Sequence, residues 1–585
     1  MPLQSSNEMP KSLRPYSSGH SITPRGLSAG AIDGIRHGRF DRLFPETQTT
    51  APDDAMLLKL AEFMVTSFEA DGVGAPDPGR PIIEAEVSDE NATIPAAYTY
   101  FGQFVDHDLT LDVTGFGQSQ KDAKAVIDFR TPALDLDCVY GGGPADQPSL
   151  YRKASNGARH LLRLGDAIAG AGPGSTRNDL LRLPALPDDP AQIALIGDKR
   201  NDENKIVSQV QATMISLHNK IYEDDDFHPG IADPDVRFEN TVRLVRWHYQ
   251  WVVLFDYLSG HICMSTALSD FGSLETPHLP YYAAVMAKGR DYPFMPVEFS
   301  GAAYRLGHSM VRPSYSLSAA NLTKGVDGAG VPNPRFPTFG KRGDDLRGFG
   351  EPITSIWSID WGFFIDGVTP TAPPAGAVVP QPSYRIDTRV VNPLSHLPEF
   401  EGLPPERKQE ANLAYRNLNR GVGLGLPTGE EVAAALKITP LSNDQVWSAG
   451  SNRYKDEDGP SEIKSRRAAI TAQGFAGHFK DRTPLWYYIL REAEYYGCTR
   501  ELPEAYLAGI VAAGEDPEAV KQEDLNYGGQ HMGPVGSRVV LETFLGLLSY
   551  DEKSFIHQPT WRPHAKLNTG GGDFTLGKLI DYALG

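Results

Sequence analysis

Apolar residues recur at three- and four-residue intervals in several long stretches of the chain, and that period predicts helices. It is clearest in DDAMLLKLAEFMVTSF (53–68), KIVSQVQATMISLHNKIYED (205–224) and ENTVRLVRWHYQWVVLFDYL (239–258). YTYFGQFVDHDLTLD (98–112) reads as a further helix, and SRVVLETFLGLL (537–548) as a buried one. TPLWYYILREAEYY (483–496) opens with Thr483-Pro484, a cap followed by proline at the first helical position. From about 320 to 390 the pattern breaks into Gly/Pro-rich runs such as KGVDGAGVPNPRFPTFG, with β-prone pieces such as SIWSIDWGFFI, which predict loops with a hairpin or two. Residues 1–45 show no period and are rich in Ser, Gly, Pro and basic residues. The expectation is therefore an extended N-terminal arm over 1–45, wrapping a core or lying free and flexible, and one large, mainly α, loop-rich domain with little β-structure over 46–585.

Composition changes this picture in three ways. Lys+Arg 55 against Asp+Glu 74 gives a formal charge of -19, which repels phosphate backbones and excludes nucleic acid as the expected partner. Cys138, Cys263 and Cys498 are too few and too scattered for a disulfide framework or a CxxC zinc site, so they are expected as buried thiols. The N-terminal stretch has no apolar h-region and no segment has the uninterrupted apolar length of a membrane span, so the default expectation is a cytoplasmic location, with signal-independent export open. The sequons at Asn91 and Asn321 then read as chance matches.

The stretch around residue 103 places Gln103, Asp106, His107 and Asp108 among aromatic and aliphatic neighbours. Polar groups in an apolar run need partners. On a helix Gln103 and His107 share a face, with a carboxylate on either side of the histidine; a charged surface stripe is the plain alternative. In GDKRNDEN (197–204), Arg200 and Glu203 would lie side by side in a first turn, as a site or as a surface ion pair. In YRLGHSMVRP (304–313), His308 is a ligand candidate or a satisfied core histidine. Thr131, Asp135 and Asp137 in TPALDLDCVYG alternate hard oxygen donors, as a Ca²⁺ loop would, or form an exposed acidic strand. NLNRGVGLGLPTG (417–429) is glycine-rich, but no strand precedes it and no Lys-Ser or Lys-Thr ends it, so it is not a phosphate loop.

Taken in order, FGQFVDHD, RNDE, RLGH and NLNRGVGLGLP resemble the animal-type haem peroxidases of the peroxidase–cyclooxygenase superfamily, from about residue 40 to the C-terminus. The resemblance implies that Gln103 and His107 lie over the distal face of a haem b. Asp106 and Glu203 would then be its ester-forming carboxylates. Arg200 would be the catalytic arginine, His308 the iron ligand and Asn417 the acceptor of its other ring N–H. Arg305 and Arg420 would lie near the haem propionates. It further implies Ca²⁺ held by Asp108, Thr131, the backbone carbonyl of Ala133, Asp135 and Asp137, where Asp137 replaces the serine of mammalian members.

The implied activity is reduction of hydrogen peroxide with oxidation of iodide, thiocyanate, bromide or phenolic donors. Family members with a methionine directly after the ester-forming glutamate gain a third haem link and chloride activity; Asn204 stands there in this chain. The resemblance therefore points to a bacterial-like member with two esters, of the lactoperoxidase type. Two rival readings are a fatty-acid dioxygenase of the same superfamily and a non-enzymatic, calcium-stabilised scaffold. The dioxygenase tyrosine would stand three residues before the proximal histidine, where this chain has Arg305 and has Tyr304 one residue away.

Overall fold

The computed structural model describes residues 40–44, 53–69, 89–111 and 130–585, less stretches at 173, 188–189, 291, 319–334, 341–342, 371–379, 401, 455–458, 513 and 515. Helices dominate, as the apolar period predicts. The strands form only two-stranded pairings among the described residues: Phe40–Asp41 parallel to Met295–Pro296, and Glu90–Pro95 antiparallel to Pro382–Tyr384. Tyr151–Arg152 pairs with Leu161–Leu162, and Ser314–Ser316 with Arg335–Pro337.

The helix Lys205–Glu223 is buried on nearly every side, which its apolar residues require. It packs against Ala97–Leu109, Pro234–Trp251 and Leu576–Leu584. Its start is fixed by Asn204, whose side chain accepts from the Ile206 N–H at 2.7 Å. The helix Asp54–Glu69 packs on Leu413–Leu424, and Leu485–Tyr496 on Pro534–Tyr550. Leu413–Leu424 is capped at its start by Asn412, which accepts from Ala414 and Tyr415, and stops at Gly425, whose φ of 61° an L side chain resists. No helix among the described residues is long and apolar enough to cross a membrane.

Several local expectations are corrected. The periodic stretch 239–258 is two elements, an α-helix Pro234–Trp251 that widens into a π-helix, Val252–Ile262. Tyr257, on the π-helix, lies against Ala97–Leu109, where a Cβ on Gly102 would lie 2.3 Å from the Tyr257 hydroxyl oxygen, so any larger residue would have to displace that ring. SIWSIDWGFFI is no strand; its Trp361–Phe363 part is a 3-10 turn capped by Asp360. A hairpin-like pairing does occur, but at Ser314–Ser316 and Arg335–Pro337.

Pro484 is the N-cap residue rather than the first helical one, and the Thr483 hydroxyl donates to Glu430 at 2.6 Å instead of capping. Residues 40–44 pack into the core. Phe40, Leu43 and Phe44 are buried, and the Leu43 and Phe44 N–H groups donate to Glu298 at 2.9 and 3.2 Å. The remainder of the arm, like Asn321, lies outside the described residues. Asn91 is fully buried and donates to Gly529, as a chance sequon would allow, and the three cysteines are free and buried.

Candidate active site

A cavity of about 800 Å³ opens between the Ala97–Leu109 helix, the 200–204 segment, the turn carrying His308 and the Leu413–Leu424 helix. Gln103, Asp106, His107, Arg200, Glu203, Arg305, His308, Asn417 and Arg420 all line it. Residues far apart in the chain thus share one space large enough for a cofactor-sized ligand. Asp108 faces away, into a separate cluster with Asp135 and Asp137.

His107 is held by a chain of amides. Gln211 Nε2 donates to the Cys138 carbonyl at 3.3 Å, and Gln211 Oε1 therefore accepts from Asn201 Nδ2 at 2.8 Å. That leaves Asn201 Oδ1 facing His107 Nδ1 at 2.7 Å. An amide oxygen can only accept, so the ring carries its proton on Nδ1, and Nε2 is the basic nitrogen. Nε2 lies 3.4 Å from Glu203 Oε1, an oxygen that accepts from the Gln103 amide.

Arg200 and Glu203 do not share a helical turn of the long helix. They lie on a separate 3-10 turn, Lys199–Asp202, with Glu203 as its C-cap residue. Arg200 donates through Nη2 to the His107 carbonyl at 2.9 Å and to Asp198 at 2.7 Å. These bonds leave Nη1 without a protein partner among the described residues. Asp198 is buried and also paired with Arg130. Burial would raise its carboxyl, but Arg200 and Arg130 outweigh that and hold it below the usual carboxylate range. Arg130 in turn donates to Asp137 at 2.8 Å, joining this group to the acidic cluster.

His308 sits at the start of the short helix Gly307–Met310, after a 3-10 turn rather than within a long apolar helix. Burial, with Arg305 second, pushes its ring down to about 3, so it is neutral, as an iron ligand must be. The expectation that Asn417 accepts the ring N–H is not what the geometry has. Asn417 Nδ2 faces His308 Nδ1 at 2.7 Å, because Arg305 Nη1, which can only donate, takes Asn417 Oδ1 at 2.8 Å. An iron ligand at Nε2 needs the amide turned over, with its oxygen toward Nδ1 and Arg305 Nη1 released.

With that half-turn the residues present fit a haem. They offer a neutral histidine whose Nε2 has no protein partner among the described residues, a cavity of cofactor size, and Arg305, Arg416 and Arg420 lining it for anionic groups. Asp106 and Glu203 also line the cavity, the first accepting from the Thr110 hydroxyl at 3.2 Å.

The acidic cluster fits a divalent cation. Ligand oxygens of Asp108, Asp135 and Asp137 lie within 4.8 Å of one another. Asp108 is fully buried, and its Oδ1 has no hydrogen-bond partner among the described residues while Oδ2 accepts from the Leu136 N–H at 3.2 Å. Burial, then Asp135 and Asp137, raise the Asp108 carboxyl well above its ordinary range. Burial pushes Asp137 up to about 7 despite Arg130. Hard oxygens crowded in this way suit Ca²⁺. Leu136 holds the loop in a left-handed conformation at φ 59°, the Thr131 hydroxyl donates to Asp135 at 2.9 Å, and the Ala133 N–H donates to the Thr131 carbonyl at 2.8 Å.

Sequence reasoning missed Asn201, Gln211, Asp198, Arg130 and Arg416. Asn201 and Asp198 stand inside the GDKRNDEN segment and could have been flagged as polar groups flanking Arg200; Gln211 and Arg130 carry no local signal.

Residues 114–330 match the family described as animal haem peroxidase. No curated protein matches the chain. Among solved structures, the fold is similar to that of peroxidase A from Dictyostelium discoideum, at 14% sequence identity and a TM-score of 0.50, over 89% of this chain and 88% of that one. A fatty acid alpha-dioxygenase from Oryza sativa is matched at 13% identity and a TM-score of 0.41, over 88% of this chain and 81% of that one.

Proposed function

We propose that this chain, whose residues 114–330 match the animal haem peroxidase family, is a peroxidase that reduces hydrogen peroxide and oxidises small anions or phenols. The observation that carries the proposal is the protonation pattern of His107. Its Nε2 is left basic by Asn201 and lines the same cavity as Arg200 and His308.

In this reading His308 Nε2 would hold the iron, Arg305, Arg416 and Arg420 would face the propionates, and Asp106 and Glu203 would form the ester links. When bound, the haem supplies the two oxidising equivalents drawn from peroxide. His107 Nε2 takes a proton from hydrogen peroxide and returns it to the departing oxygen as water forms. Arg200 lines the cavity, where its guanidinium would offset negative charge developing on that oxygen, and Asp198 keeps that guanidinium oriented. Gln103, one helical turn before His107, orients peroxide beside Nε2. Asp108, Thr131, the Ala133 carbonyl, Asp135 and Asp137 would hold Ca²⁺ and so anchor the His107 helix. Iodide, thiocyanate and bromide are the proposed anionic donors, since Asn204 cannot form a third haem link.

The test is a steady-state assay of the haem-loaded protein with peroxide and iodide or a phenol, run beside a fatty-acid consumption assay. Peroxide-dependent donor turnover that falls by roughly 10²–10⁴ in His107→Ala is expected. Fatty-acid consumption without donor turnover would reject the peroxidase reading, and no reaction with either would favour a scaffold.

A further inference from the structure

Phe349 is a bulky aromatic residue held at φ 50°, a backbone conformation that suits glycine, although glycines flank it on both sides. Its side chain is not held by a core: it is 53% exposed, and it stacks on no other ring among the described residues. It nevertheless lines the cavity, beside Gly348 and Arg347 and near Arg200, Glu203 and Asn204.

The strain is held in place by an extensive set of bonds. Gly348 N–H donates to the Glu203 carbonyl at 3.0 Å, Phe349 N–H to the Asp202 carbonyl, and Gly350 N–H to Asp202 Oδ2 at 3.1 Å. Arg182 clamps both oxygens of Asp202 at 2.8 Å. From below, the buried Lys205 ammonium bonds the Asp345 and Arg347 carbonyls at 2.8 and 2.6 Å and the Glu351 carboxylate at 2.8 Å. A glycine would sit in this turn without strain. A strained residue kept by its surroundings at a site points to a use for its side chain.

We propose that Phe349 is a specificity-determining residue: a platform at the cavity mouth on which the ring of a phenolic donor docks. The proposal rests on the peroxidase reading of the cavity and selects between the two donor classes that reading allows. An exposed benzene face stacks on another ring, and its negative quadrupole offers nothing to iodide or thiocyanate. The 202–205 segment that fixes Phe349 contains Glu203 and closely follows Arg200, so the docked ring is registered to the reacting end of the cavity.

The experiment uses haem-loaded protein with 4-fluorophenol and no peroxide, following binding by fluorine NMR, for the unmodified chain, Phe349→Gly and Phe349→Trp. Phe349→Gly should weaken 4-fluorophenol binding roughly tenfold, Phe349→Trp should restore it, and the melting temperature of Phe349→Gly should not fall, because glycine relieves the strained φ. In turnover, the ratio of kcat/KM for phenol to that for iodide should drop about tenfold in Phe349→Gly. A lowered melting temperature with unchanged 4-fluorophenol affinity would make Phe349 a structural residue and overturn the proposal, as would an equal loss for both donors. If the unmodified protein oxidises neither donor, the peroxidase reading fails, while the binding comparison still decides whether Phe349 docks a ring.

Discussion

Asn201 Oδ1 lies 2.7 Å from Nδ1 of His107, and Asn201 is itself oriented by Gln211. The tautomer of His107 is therefore set from outside the cavity. Replacing Asn201 with Ala removes the acceptor that holds the proton on Nδ1 while leaving every cavity-lining group in place. The rate of reaction with peroxide, followed by stopped-flow absorbance, is expected to fall roughly tenfold to a hundredfold, the range typical of lost ligand-orienting partners. An unchanged rate would mean that the amide chain does not govern the base.

The acidic cluster gives a compositional prediction. Metal analysis of the purified protein should find calcium, and Asp135→Asn should lose it. A cation present at a hundredfold its Kd contributes about 2.7 kcal/mol to stability, so chelation should lower the melting temperature measurably. Finding active protein free of calcium would remove the metal from the account.

Glu492 supplies a pH dependence remote from the cavity. It is buried and accepts from the Val535 and Gly536 N–H groups at 2.8 and 3.3 Å, yet burial pushes its carboxyl from 4.5 up to about 8. The folded state then holds a proton that the unfolded chain releases, so stability is fullest below about 4.5, declines as pH rises, and levels off above about 8. The slope is at most about 1.4 kcal/mol per pH unit. Denaturant titrations at pH 5, 6.5 and 8 should show this decline in the unmodified protein and a flatter profile in Glu492→Gln, whose amide oxygen can still accept the two N–H groups. Parallel profiles would assign the pH dependence elsewhere.

Asn204 has a structural duty that bears on donor range. Its side chain caps the Lys205–Glu223 helix, so Asn204→Met should cost about 0.5–2 kcal/mol of stability whatever it does to the haem. Mass spectrometry of peroxide-treated Asn204→Met should reveal whether a third haem link forms, and chloride oxidation is expected to rise only if it does. Acid–acetone extraction should leave haem on the unmodified protein and release it from the Asp106→Ala, Glu203→Ala pair. Efficient chloride oxidation by the unmodified protein at neutral pH would defeat the argument from Asn204.

The parts legible in the sequence were those that act locally. Lys205–Glu223 and Pro534–Tyr550 announce themselves by apolar residues that only a buried helix could hide. Gln103 and His107 could be placed on one face because helical spacing fixes it, and both do line the cavity. Arg130 and Asp198, in contrast, are 68 positions apart in the chain, and nothing in either neighbourhood marks them as partners. The Asn417 amide orientation depends on Arg305, 112 residues away, competing for the same oxygen. Val252–Ile262 repeats its apolar residues closely enough to an α-helix that its extra width is invisible until Tyr257 has to reach Gly102.

The short pairing of Phe40–Asp41 with Met295–Pro296 sets how far the chain can be trimmed. Glu298 is fully buried, and the Leu43 and Phe44 N–H groups bind its two oxygens. A protease that cut after Phe44 would leave that carboxylate stranded in an apolar interior, at a cost of at least about 1–3 kcal/mol, and would strip Phe40 from the cavity wall. The smallest autonomous unit of this protein therefore begins at or before Phe40, and resistance of the 40–44 segment to limited digestion is a direct gauge of whether the cavity is intact.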